Sequence, residues 1–265
     1  MLKKEPALNC FCLRINFQRS LLIIDHYLCP MHDSHLHHNE KHLKSSDLLT
    51  DIVIGMSDGL TVPFALAAGL SGAVSNTTLI TVAGIAEIAA GSIAMGLGGY
   101  LAGKTEQDHY SSELAREYDE IENKTEVEKQ EIRDIFGKWG FSKQLQEQAV
   151  EEIARDKHKW ADFMMKHELG LDEPDPKRAR KSAFNIGVSY IFGGLVPLSP
   201  YFFVPDAFGA LKVSVCVTLV CLFIFGYFKS KLTGVNPLIG GLKVMLIGAA
   251  AAGAAFAIAK LIDGH

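Results

Sequence analysis

The stretch DIVIGMSDGLTVPFALAAGLSG, residues 51–72, decides how the rest of the chain is read. It is long and apolar enough to cross a bilayer, which takes about 20 residues of helix. Yet it holds two carboxylates and a proline. Asp51 and Asp58 are seven residues apart and, at about 3.6 residues per turn, share one helical face. A carboxylate at bilayer depth costs roughly 2.5–3.5 kcal/mol on insertion scales, so it is normally tied to a cavity, an ion or a partner charge. Pro63 removes a backbone donor and kinks or breaks a helix, which can open carbonyls toward a pathway. The plainer reading has Asp51 capping the helix start at the membrane surface. Asp58, two turns deeper, fits that reading less well.

Outward from this stretch, five apolar runs are long enough to span. They cover about Leu49–Gly72, Thr78–Ala102, Ala183–Val204, Phe208–Phe228 and Leu238–Ile262. The connection after the first run, SGAVSN, carries no Lys or Arg. The one after the second is rich in both, with Arg178, Arg180 and Lys181 abutting the third run, and Lys229 and Lys231 follow the fourth. The positive-inside rule then places the N-terminus and the long polar block in the cytosol. The expected architecture is all-α and polytopic: an N-terminal extension (1–48), transmembrane helices one and two (49–102), a cytosolic helical domain (103–182) and transmembrane helices three to five (183–262). Over its 265 residues the chain is 48% hydrophobic and 21% charged, with a net charge of −4. That charge leaves no nucleic-acid footprint. No Gly-rich phosphate loop and no nucleotide motif is present, which argues against ATP-driven transport. Cys10, Cys12, Cys29, Cys216 and Cys221 show neither metal-finger spacing nor a disulfide framework.

The second run repeats Gly84, Gly91 and Gly98 every seven residues and adds Gly96, Gly99 and Gly103, a stripe that lets helices approach closely. Glu87 lies a third of the way in, with Met95 eight residues on. A carboxylate and a thioether together offer one hard and one soft donor for an ion path. The alternative pairs Glu87 with a lysine such as Lys243 and leaves Met95 filling space.

The polar block reads as helices, the first of them continuous with the second apolar run. Glu106, His109, Glu113, Glu117 and Glu120 recur at three- or four-residue steps and line one broad face. Glu128 and Glu131 follow on a second helix from Thr125 to Trp139, and a further one runs around Lys143 to Arg155. In HKWADFMMKHELG, Met164 and Glu168 share a face, and Pro174 and Pro176 end the segment. Acidic faces are usually just solvated. Like carboxylates one turn apart repel, and a divalent cation would reverse the sign. Oxygen donors suit Mg, Ca, Mn or Fe(II), and an added thioether favours a softer transition metal. Before residue 48, Arg14, Gln18 and Arg19 interrupt any signal-peptide core, so residues 1–30 read as an upstream extension with Met31 as an alternative start. His32, His35, His37, His38 and His42 form either a metal-binding tract or a solvated tail.

Four motifs carry a resemblance: SDGLTVPFALAAGLSG (57–72), IAMGLGGYLAGKTEQDHY (93–110), WADFMMKHELGLDEPDPKRA (160–179) and SYIFGGLVPLSPYF (189–202). Together they resemble the vacuolar iron transporter family, from about Asp47 to Ile262. The resemblance implies a dimeric, five-span, proton-coupled exporter of Fe(II), often also of Mn(II), out of the cytosol. Its metal is cargo, with no resident cofactor and no enzymatic activity. It implies a vacuolar membrane in a eukaryote and the cytoplasmic membrane in a bacterium. The family's pore pattern falls on Asp58 and Met95, with Asp51 and Glu87 along the path. Its cytosolic metal site falls on Glu117, Glu120, Glu128, Glu131, Met164 and Glu168. Two other functions stay open: a membrane-anchored metal-binding or storage module without transport, and a membrane scaffold whose acidic block docks a basic partner.

Overall fold

A computed structural model describes residues 47–263, so the extension and its His tract lie outside the described residues. The described residues form α1 (Asp47–Ala73), α2 (Thr77–Asn123), α3 (Thr125–Lys138), α4 (Lys143–Ile153), α5 (Lys157–His167), α6 (Arg178–Leu198), α7 (Pro200–Phe203), α8 (Ala207–Leu232) and α9 (Pro237–Asp263). Local chemistry sets the ends. Asn76 starts α2 by accepting from the N–H groups of Thr78 and Leu79, and Asp206 starts α8 through Gly209 N–H. Asn236 does the same for Leu238 and Ile239, with Pro237 in the first turn of α9. As the sequence reads, α2 runs 47 residues without a break, from the apolar run into the polar domain.

Four helices, α1, α2, α8 and α9, are long and apolar enough to cross a membrane. The expected third span is not among them. Its helix, α6, begins five residues before the expected Ala183 and stops at Leu198, after which Pro200 opens the short α7. Its first turns carry Arg178, Arg180 and Lys181, and Ser182, Asn185, Ser189 and Tyr190 follow. Arg180 and Lys181 stay exposed, and the other polar groups are tolerated because α6 is sandwiched between α1 and α2 and meets protein on both sides. It lies along α1 as far as Pro63, and α7 continues the contact. At one end Arg178 meets Asp47 and Asp51; at the other the hydroxyls of Tyr201 and Ser71 are 2.9 Å apart.

Glycine makes this sandwich possible. A Cβ on Gly59 would lie 2.3 Å from the carbonyl oxygen of Tyr190, and one on Gly55 2.3 Å from that of Ile186. On α2, Gly84, Gly96, Gly99 and Gly103 face α6 or Leu198 in the same way. Gly98 departs from the expected stripe: a Cβ there would meet nothing within 4 Å. A seven-residue repeat on a straight helix drifts by about 20° per repeat, which carries Gly98 off the seam. α1 stays helical through Pro63, whose buried ring packs toward Gly194. On the far side of α1, Gly69 and Gly72 meet Ala255 and Phe256 of α9, which also packs on α8. The α1–α2 and α7–α8 connections meet through an antiparallel bridge between Asn76 and Asp206.

Candidate functional site

The polar domain has a core of its own. Ile121 of α2, Ile132 of α3, Val150 of α4, and Trp160, Ala161 and Met164 of α5 pack together. On three of these helices a glutamate sits one turn from the apolar stripe. Glu117 precedes Ile121 on α2, Glu128 precedes Ile132 on α3, and Glu168 follows Met164 at the end of α5. Burying the stripes therefore draws three carboxylates to one point, where one oxygen from each lies within 4.8 Å of the others.

Glu117 and Glu128 are 2% and 3% exposed, while Glu168 is open to solvent. Among the described residues no donor reaches Oε2 of Glu117 or of Glu128. Loss of solvent around the carboxyl groups, then the neighbouring charge of Glu131, pushes those of Glu128 and Glu168 up to about 7, the latter despite the exposure of the residue as a whole. Burial and then Glu120 raise that of Glu117. Three mutually repelling carboxylates, two of them with an unpartnered oxygen, can be relieved by protons or by a divalent cation. Oxygen ligands bind Ca or Mg at about 2.0–2.6 Å, so oxygens around such an ion stand no more than about 4–5 Å apart, and the three here all lie within 4.8 Å of one another.

Of the six cytosolic residues expected, the structure thus brings Glu117, Glu128 and Glu168 together, with Glu131 in hydrogen-bonding reach of Glu168. Glu120 turns to the rim, 2.9 Å from Lys124 and 3.8 Å from Arg116. Met164 is fully buried within the apolar core.

Within the bundle, Asp58 and Met95 are both half-buried, and among the described residues no hydrogen bond or ion pair engages Asp58. Among the described residues Glu87 pairs with neither Lys243 nor any other cation. Its Oε1 accepts a short hydrogen bond from the Tyr190 hydroxyl, for which Gly91 leaves room, and its Oε2 is buried without a partner. Asp51 behaves differently. It is 1% exposed and takes both Arg178 Nη1 (2.8 Å) and Nη2 (3.0 Å), Ser182 Oγ (2.9 Å) and Asn185 Nδ2 (3.2 Å). The expected path residue is thus an ion-paired one. Tyr190, Arg178, Ser182 and Asn185 escape a reading that looks for acidic groups. Their signal is the spacing of polar positions 182, 185 and 189, one face of an otherwise apolar helix.

Several long apolar helices, joined to a polar helical domain with clustered carboxylates, make a multi-pass membrane protein. The chain belongs to the VIT family, whose pattern matches residues 49–260. It is 52% identical over 226 residues to vacuolar iron transporter 1 of Tulipa gesneriana, covering 85% of this chain and 92% of that one. Vacuolar iron transporter 1 of Arabidopsis thaliana is 50% identical over 227 residues, covering 86% and 91%. Protein CCC1 of Saccharomyces cerevisiae is 40% identical over 223 residues, covering 81% and 69%.

Proposed function

We propose that this chain is a proton-coupled transporter that moves Fe(II), and Mn(II) as a second substrate, from the cytosol across the vacuolar membrane. The observation that carries the reading is a set of buried carboxylate oxygens without partners at two levels. Glu117 Oε2 and Glu128 Oε2 lie in the polar domain, and Glu87 Oε2 lies in the bundle. The names of relatives at about 50% identity over most of both chains point the same way.

In this reading α6 is the fifth span, because it runs beside α1 from Asp51 to Pro63 and α7 carries the contact on to Ser71. The polar domain lies in the cytosol. Glu117, Glu128 and Glu168, helped by Glu131, gather the metal and raise its concentration at the mouth of the bundle. Asp58, Met95 and Glu87 take it across. Proton uptake by Asp58 or Glu87 from the far side weakens the metal's hold and favours release. Each carboxylate alternates between proton and cation. The chain works as a homodimer whose α1 and α2 helices line the route. In support, Asp58 and Met95 are only half covered in one copy, and Gly98 faces open space.

The test is uptake of Fe(II) and Mn(II) by sealed proteoliposomes. Uptake should depend on the protein and slow when a proton gradient across the bilayer is collapsed. Metal binding without uptake would leave a membrane-anchored storage module instead. Uptake indifferent to the gradient would remove the proton coupling.

A further inference from the structure

Asp51 and Arg178 form the most completely satisfied charged pair in the bundle. Both guanidinium Nη atoms bind the two carboxylate oxygens, and Ser182 and Asn185 supply one further donor each. Four donors on one carboxylate leave it no free direction for a metal ion. The pair is also placed to matter. Asp51 belongs to the first turns of α1 and Arg178 opens α6, so the pair ties the same ends of two parallel helices. Asp47 lies 3.5 Å from the same guanidinium. The segment leading to Arg178 is pinned in turn. The Asp175 carbonyl accepts from Gln107 of α2, and its carboxylate holds Lys181 at 2.6 Å and the Lys177 N–H at 2.8 Å.

We infer that Arg178 is a tethered cation occupying the place a divalent ion would otherwise take at Asp51. The pair clamps α1 to α6 at the mouth of the bundle and keeps Asp51 out of the metal route. Arg178 is then a positioning residue. It fixes the end of α1 two turns before Asp58, the first unpaired carboxylate a metal would meet. This functional half rests on the transport reading; the cation-for-cation half does not.

The inference is tested on the full chain in detergent and in proteoliposomes. Removing the guanidinium leaves a buried, multiply hydrogen-bonded carboxylate without a counter-charge, a state that takes up a cation or comes apart. Mn(II) titration followed by electron paramagnetic resonance should show one more bound equivalent in Arg178→Gln than in the wild type. The extra equivalent should be absent from Arg178→Lys, which retains the charge, and from the double variant Asp51→Asn with Arg178→Gln. The charge-exchanged double variant, Asp51→Arg with Arg178→Asp, should recover at least half of the Tm lost in Arg178→Gln. Asp51→Asn should retain metal flux within about threefold, since an amide can still accept from the arginine but cannot serve as an anionic ligand. Three results would overturn the inference: no additional Mn(II) in Arg178→Gln, an equal gain in the lysine variant, or loss of flux in Asp51→Asn at unchanged Tm. Should the wild type show no flux at all, the transport reading fails, and the binding stoichiometries and Tm values still decide whether Arg178 stands in for a metal.

Discussion

A glutamate one turn from an isoleucine on an amphipathic helix is pulled inward by its neighbour. Glu117 and Glu128 show the outcome, each buried with one oxygen unpartnered. Glu128→Gln preserves shape while removing charge, and should weaken Mn(II) or Fe(II) binding to the full chain by about tenfold or more, ~1.4 kcal/mol per decade. Glu120→Gln should change it less, because Glu120 already faces Lys124 and Arg116. Titration calorimetry separates the two. The same cluster sets a pH dependence. Folding raises the Glu128 and Glu168 carboxyls from 4.5 to about 7, so protons favour the folded form. The stability they contribute is complete below about 4.5 and is lost as pH rises through about 7. Metal-free protein should therefore have a lower Tm at pH 8 than at pH 6, Mn(II) should restore it at pH 8, and Mn(II) affinity should climb over that interval. A Tm independent of pH across that range would mean that the three carboxylates do not share a site. The acidic residues themselves were legible in the sequence. Their sorting was not, because which of Glu117 and Glu120 turns inward depends on α3 and α5 closing over α2.

Among the long helices of the bundle, α6 is not apolar enough to count as a span by composition, yet it packs closely on both α1 and α2. It need not be apolar, since α1 and α2 shield it. Its backbone approaches theirs across glycine. Gly59→Ala would put a methyl 2.3 Å from the Tyr190 carbonyl oxygen and should destabilise by about 1–3 kcal/mol, read as a lower Tm in detergent. Gly98→Ala meets nothing within 4 Å in the single chain and should change its packing energy by less than about 0.5 kcal/mol. Equal effects at the two positions would show that α6 is not held by glycine contacts. The seven-residue spacing groups Gly98 with Gly84 and Gly91, since spacing alone ignores how a straight helix drifts around its axis. The length and unbroken course of α2 were legible because no proline or cap signal interrupts 77–123. The early start of α6 was not, because basic residues at 178–181 read as a loop until Asp51 is seen to receive one of them.

In the molecule as a whole, connections that share an end of the bundle should share a side of the membrane. The α1–α2 and α7–α8 connections touch through Asn76 and Asp206. With α6 counted as a span, the polar domain and the α8–α9 connection share the opposite side. In a background without native cysteines, an impermeant thiol reagent should label Cys introduced at Asn76 or Asp206 from one face, and Cys introduced at Lys143 or Thr233 only from the other. Labelling of Asp206 and Lys143 from one face would remove α6 as a span. The overall plan was legible from apolar runs and loop charge, whereas the pairing of Asp51 with Arg178 joins residues 127 apart and has no local signature. The central claim is that unpaired carboxylates inside the helix bundle exist to carry a divalent ion. It is tested most directly by Fe(II) uptake into sealed proteoliposomes containing wild type or Asp58→Ala at equal incorporation, with metal binding to the polar domain measured in parallel. The account expects Asp58→Ala to lose uptake while retaining that binding; uptake at the wild-type rate would contradict it.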